Sequence, residues 1–221
     1  MKIIILLAII FQLNYALTQG VYTSGARNVA LSNATVAISD EWSYFNNPGA
    51  ISVNQKVAFG VSYENRFLLK EMQSQSFVGV IPLKKGVLSI GGQLYGFSQL
   101  RSFKSGVGYA MPLAEFVSAG VQLNFQGVRL NQNYGSSNTM TAELGVLTKL
   151  NKKLSIGFSV FNLGSALLDD YQNDRYTTVI RLGAHYKLSD KVLFLAELEK
   201  NSEYPLNLKF SSEYLPAKNM Y

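Results

Sequence analysis

The sequence contains no cysteine, which excludes thiolate catalysis, cysteine-based zinc sites and a disulfide framework. It contains one histidine, His185, so metal sites and acid–base schemes that need two imidazoles are excluded too. Charge is sparse: Asp, Glu, Lys and Arg make up 15% of 221 residues. The net charge of +6 comes from 20 Lys and Arg against 14 Asp and Glu, but the cations are scattered singly or in pairs. No basic stripe tracks a phosphate backbone, and a nucleic-acid partner is not expected. No apolar run reaches the roughly 20 residues of a membrane-spanning helix. What the chain does have is apolar surface: 48% hydrophobic residues, with 13 Tyr and 13 Phe, exclude disorder.

The longest apolar run, residues 3–11, follows Met1-Lys2 and is broken by Gln12 and Asn14. Ala16 and Thr18 then supply small residues at the −3 and −1 positions of a cleavage site, so residues 1–18 read as a secretory signal peptide and Gln19 as the mature N-terminus. The expected mature protein is exported, either soluble outside the inner membrane or a β-barrel.

The hydrophobic period decides between these, and over most of the chain it is two. Val117, Ala119, Val121, Leu123 and Phe125 alternate with Ser118, Gly120, Gln122, Asn124 and Gln126. The same pattern recurs in Ile180, Leu182, Ala184 and Tyr186 against Arg181, Gly183, His185 and Lys187, and a less regular run covers residues 77–81. About ten strands are countable, each longer than the 5 or 6 residues usual in soluble domains. Short turns such as Asn151-Lys152-Lys153 and Ser189-Asp190-Lys191 alternate with longer links at 130–138 and 162–175. That asymmetry matches an outer-membrane barrel, with short turns in the periplasm and long loops outside. Tyr63, Phe67, Phe97, Tyr109, Phe116, Phe161, Tyr176 and Tyr214 are placed to form interfacial girdles. The fold class expected is therefore all-β, an antiparallel transmembrane β-barrel occupying residues 55–221, in the outer membrane of a Gram-negative bacterium.

The polar faces would line its lumen with Lys104, Gln122, Asn124, Glu143, Arg181, His185, Glu197 and Lys209. Opposite charges there can pair across a narrow barrel and fill it, or leave a polar path for solute; no ring of one sign announces ion selectivity. Residues 19–54 differ in pattern. Residues 33–38 suit a short extended piece, Ser39 a helix N-cap, and Asp40 and Glu41 the first helical turn. Trp42, Tyr44 and Phe45 follow, and Asn47-Pro48-Gly49 ends the helix. Three aromatics in four residues suit a small N-terminal helical plug inside the lumen better than a tail in water.

Gly25-Ala26-Arg27, Ser32-Asn33-Ala34, Trp42 and Phe45-Asn46-Asn47-Pro48-Gly49-Ala50-Ile51 together resemble the N-terminal signature of FadL-like outer-membrane barrels, in particular the PorV/PorQ-type branch of Bacteroidetes. Ser32-Asn33-Ala34 stands where that branch usually has Gly-Gly-Ala, and Gly49-Ala50 where it has Ala-Gly. Glu197-Leu198-Glu199-Lys200, Tyr204-Pro205-Leu206 and Glu213-Tyr214-Leu215-Pro216 are similar to its late hairpin. The resemblance implies a barrel of about 12–14 strands when complete, so the chain is expected to be C-terminally incomplete. It implies an N-terminal hatch formed by Trp42, Tyr44, Phe45, Asn47, Pro48 and Gly49. It also implies either a passive channel or binding site for hydrophobic small molecules, or a non-transporting docking component of a type IX secretion apparatus. The partners implied are outer-membrane lipid, a hydrophobic solute and secretion-system proteins.

Enzymatic activity is not expected. His185 falls mid-strand with Arg181 and Lys187 as same-face neighbours, which disfavours its protonated form. Asp169-Asp170 and Asp174 could hold calcium, but they suit a solvated acidic loop better. No metal and no cofactor is expected.

Overall fold

The structure is a computed structural model that describes residues 23–130, 135–169 and 174–216. The expected signal peptide, residues 170–173 of the expected acidic loop and most of the expected turn at 216–219 lie outside the described residues. The chain opens with a short helix α1 (Ala26–Ala30) and two 3₁₀ helices, Glu41–Phe45 and Pro48–Val53. Strands β1 (Ala58–Asn65), β2 (Gln73–Pro82), β3 (Val87–Gly96), β4 (Leu100–Ala114), β5 (Val117–Leu130), β6 (Ser136–Lys149) and β7 (Leu154–Phe161) follow. A small ribbon, β8 (Leu167–Asp169) with β9 (Asp174–Arg175), interrupts the next connection. Strands β10 (Val179–Lys187), β11 (Val192–Asn201) and β12 (Asn207–Tyr214) close the series.

The protein is all-β: ten antiparallel strands form one sheet in the order β1-β2-β3-β4-β5-β6-β7-β10-β11-β12, each paired with its neighbour in sequence. The period-two pattern is the cause. Along β5, Gln122 and Asn124 are 1% and 2% exposed, whereas Val121 and Leu123 are 55% and 66% exposed. The same inversion, polar side covered and apolar side bare, runs across the sheet. Connections at 83–86, 115–116, 150–153 and 188–191 are trim. At the other end 66–72 and above all 162–178 are longer, although 97–99 is as short as the trim connections.

Residues 23–54 cover the polar face. Nine interstrand spacings would set β1 and β12 about 43 Å apart in a flat sheet. Yet the Trp42 indole lies against Gly60 of β1 and against Gly25, and Arg27, two residues on, holds Glu213 of β12 at 2.7 Å. Two residues with a side chain at each end reach only about 20 Å, so the sheet is strongly curled.

The curl stops short of closure: among the described residues no pairing joins β1 to β12. The closed barrel expected from the sequence is thus corrected to an open, curled sheet. An eight-stranded barrel has an interior just wide enough for side chains or one small ligand. Here the ten strands pass around the folded segment 23–54, and β1 and β12 stay apart.

The N-terminal expectations also change. Residues 33–38 form turns, with the Ala34 N–H bonded to Leu31 O and the Ile38 N–H to Thr35 O, not an extended piece. No α-helical plug follows Ser39. Asp40 caps the 3₁₀ helix Glu41–Phe45, its N–H donating to Ser43 Oγ at 3.1 Å. Asn47 caps the second, with Pro48 in its first turn, so Pro48 starts a helix instead of only ending one.

Candidate functional site

The hydrophobic core lies between this segment and the covered face. Tyr44, Phe45 and Ile51 pack with Val78, Val80, Val87 and Ala110. Leu31, Ala34 and Ile38 pack with Leu195, and Ala37 and Ala50 with Leu147. Each large side chain so buried contributes about 1.5 to 3 kcal/mol. The irregular run at 77–81 is explained here: Val78 and Val80 are apolar on the covered face because the segment presses on them, while Phe77 and Ile81 face outward.

Polar contacts spread the attachment over all ten strands. Trp42 rests on β1, and Ser24 Oγ bonds Ser76 Oγ of β2. The Tyr44 hydroxyl donates to Gly91 O of β3 at 3.0 Å, and Lys104 Nζ of β4 lies 5.9 Å from the Tyr44 ring centroid. Burial pushes the Tyr44 phenol well above its ordinary pKa range, so it donates as a neutral hydroxyl. Ser118 of β5 donates to Gly49 O at 2.9 Å. Asn47 Nδ2 donates to Val146 O of β6 at 3.0 Å and to Val36 O at 2.7 Å, while its Oδ1 accepts from the Gly49 N–H. Ser159 of β7 donates to Asn46 O, and His185 Nδ1 of β10 donates to Ala37 O at 2.8 Å. The Val36 N–H donates to Glu197 of β11 at 2.9 Å. Arg27 holds Glu213 of β12 through both nitrogens, at 2.9 and 2.7 Å.

Glycines admit so close an approach: a Cβ on Gly157 would stand 2.1 Å from Val36 O, and one on Gly49 would stand 2.4 Å from Gly145 O. Gly25, at φ +97, takes a backbone shape that also clears the Trp42 ring, 2.8 Å from where its Cβ would be.

Above the segment the predicted polar residues do come together, as two paired clusters. In the first, Lys104 Nζ meets Glu143 Oε1 at 2.5 Å, and Asn124 Nδ2 donates to the same oxygen at 2.7 Å. Gln122 lies beside them, donating to Asn124 Oδ1 at 2.8 Å. Phe45 and Phe161 flank Lys104, the Phe161 centroid 5.0 Å from Nζ. In the second, Arg181 Nε meets Glu199 at 2.8 Å, and Lys209 Nζ bridges Glu199 at 2.8 Å and Glu197 at 3.1 Å. Three cations thus face three carboxylates, and the interior charge cancels. A cavity of about 10 Å³ between the clusters, bounded by Lys104, Glu143, Ser159 and Arg181, is the size of a single water.

Phe161 and Tyr176, expected in an interfacial girdle, are buried instead, whereas Tyr63, Phe67, Phe116 and Tyr214 are exposed. Arg27, Val36, Ser118 and Ser159 are the contact residues that composition did not single out. Small residues alternating on one strand face were the trace of Ser118 and Ser159, while Arg27 entered through the Gly25-Ala26-Arg27 motif and Val36 through the 33–38 piece. Asp170 lies outside the described residues, as do the side chains of Asp169 and Asp174.

No family model matches the chain, no curated protein matches it, and no solved structure matches it.

Proposed function

We propose that the protein is an outer-membrane β-wall of the FadL-like type, handling hydrophobic small molecules, whose interior residues 23–54 close as a plug. The observation that carries this reading is the inverted sheet: Phe59, Val61, Ile90, Val107, Val121, Leu123, Leu182 and Phe210 are bare while Gln122, Asn124, Glu143, Arg181 and Glu197 are buried. Water penalises that arrangement and lipid rewards it. Strands of up to 15 residues are long enough to cross a bilayer at a tilt.

The residues that carry the resemblance have definite structural roles. Ser32 and Asn33, at φ 55 and 54, both take the left-handed conformation that a Gly-Gly step adopts freely. Arg27, Trp42, Asn47 and Gly49 each fasten the segment to the sheet, and Gly25 makes room for the Trp42 ring. In a membrane the bare edges of β1 and β12 need further strands, because unpaired backbone groups are costly in hydrocarbon.

A docking role in a type IX secretion apparatus is favoured by one observation of its own. The segment touches every strand, and the charges behind it are fully paired, which suits a sealed body better than a pore. Deleting residues 19–51 separates the two roles. Uptake of small polar dyes into liposomes rises if the segment is a hatch and stays unchanged if the wall alone seals the interior. Recovery of the native protein in the soluble periplasm would overturn both.

A further inference from the structure

Among the described residues the deep inner-face charges of Lys104, Glu143, Arg181, Glu197, Glu199 and Lys209 cancel, whereas the short-turn end carries an excess of cations. There an open cleft of about 550 Å³ lies between the edge of the N-terminal segment and the turns 150–153 and 188–191. Arg27, Lys149, Lys152, His185, Lys187 and Lys191 all border it, against two carboxylates, Asp190 and Glu213. Those carboxylates are already engaged, Glu213 by Arg27 at 2.7 Å and Asp190 by Lys187 at 2.8 Å. Among the described residues Lys149, Lys152 and Lys191 have no ion-pair partner. Each buried or half-buried cation deeper in the sheet has one.

We propose that this cleft is a binding site for a small multivalent anion carrying phosphate or carboxylate groups. Lys149, at the end of β6, and Lys191, in the β10–β11 turn, supply the charge, and Ser39, Ser155 and Ser189 also line the cleft. The volume falls in the range of small-molecule sites and is far too large for a lone halide. The geometry is anchored: the His185 ring is fixed by its bond to Ala37 O, and Arg27 by its two-nitrogen grip on Glu213. Concave walls with an excess of one sign concentrate counter-charge between them. The site stands independently of which solvent meets the outer face of the sheet.

Calorimetric titration of the full chain in a zwitterionic detergent, with sodium pyrophosphate in one arm and sodium citrate in the other at matched ionic strength, tests it. The expected result is saturable one-to-one binding of at least one of the two; the tighter arm identifies phosphate or carboxylate as the preferred group. Lys149→Gln with Lys191→Gln should weaken binding about tenfold or more, as losing one or two charge-assisted hydrogen bonds does. Lys149→Arg with Lys191→Arg should retain it. Lys84→Gln with Lys85→Gln, on another short turn outside the cleft, should leave it unchanged. No saturable heat in either arm, or equal weakening by both glutamine pairs, would overturn the proposal.

Discussion

Replacing Gly157 by alanine tests how tightly the N-terminal segment is seated. The added Cβ would stand 2.1 Å from Val36 O, 2.6 Å from Val36 C and 2.8 Å from Ala37 Cα, where ordinary contact begins at 3.4 Å. All three atoms are backbone, so the segment must lift by more than an ångström instead of rotating a side chain. Lifting Val36 breaks its N–H bond to Glu197, 2.9 Å, and the bond its carbonyl accepts from Asn47, 2.7 Å. A charge-assisted and a neutral buried hydrogen bond together amount to about 2 to 4 kcal/mol. With a urea m-value of about 2 kcal/mol per molar, the middle of the usual range, the unfolding midpoint should fall by about 1 to 2 M. Trp42, the sole tryptophan, lies in the segment and reports the transition by fluorescence. Gly164→Ala is the matched control, since a Cβ there meets nothing within 4 Å. Equal midpoints for the two variants would refute the close seating of Val36 on β7.

Glu143→Leu should destabilise the folded protein by about 3 kcal/mol by taking away the carboxylate that holds buried Lys104, and adding Lys104→Met should recover most of that loss in the same urea assay. Burial, opposed by Arg27 and helped by Glu41, holds the Asp40 carboxyl above its ordinary range. The folded state therefore binds that proton more tightly than the unfolded chain. Its stabilising effect is complete below about pH 4 and fades as pH rises through the elevated pKa. Asp40→Asn should flatten this part of the pH–stability profile, and an unaltered slope would exclude Asp40 as its source. Val121→Arg should cost about 2 to 4 kcal/mol in lipid near the midplane, whereas the same change on a water-facing surface stays within about 0.5 kcal/mol. Protease added to intact cells should cut within the 162–178 connection; cleavage confined to Lys152 or Lys191 would reverse the proposed orientation.

The strands were legible because a face in contact with one medium and a face in contact with another impose alternation directly on the chain. Lys104, Glu143, Arg181, Glu197 and Lys209 could be assigned to the covered side for that reason. Their partners could not. Lys104 and Glu143 sit on strands that flank β5, and their meeting depends on registers set by turn lengths at 115–116 and 131–135. Gln122 shows the same limit: alternation turns it inward, but only the packed structure reveals that it is fully covered and wedged against Asn124. The N-terminal segment was misjudged in kind. Aromatic clustering at Trp42, Tyr44 and Phe45 correctly marked a segment that needs burial. Its 3₁₀ turns, however, are seated by contacts with Gly91 and Gly145 that local propensity does not encode. Closure depends on how many strands surround the segment, which no single strand records.

The central claim, that the bare apolar face of the sheet meets lipid, is tested most directly by spin labels. The chain has no native cysteine, so Val121→Cys and Leu123→Cys each accept a single nitroxide on an exposed position of β5. In reconstituted vesicles both labels should relax strongly with oxygen, which concentrates in hydrocarbon, and weakly with a water-soluble nickel chelate. Strong nickel relaxation and weak oxygen relaxation at both positions would place that face in water and contradict the membrane assignment.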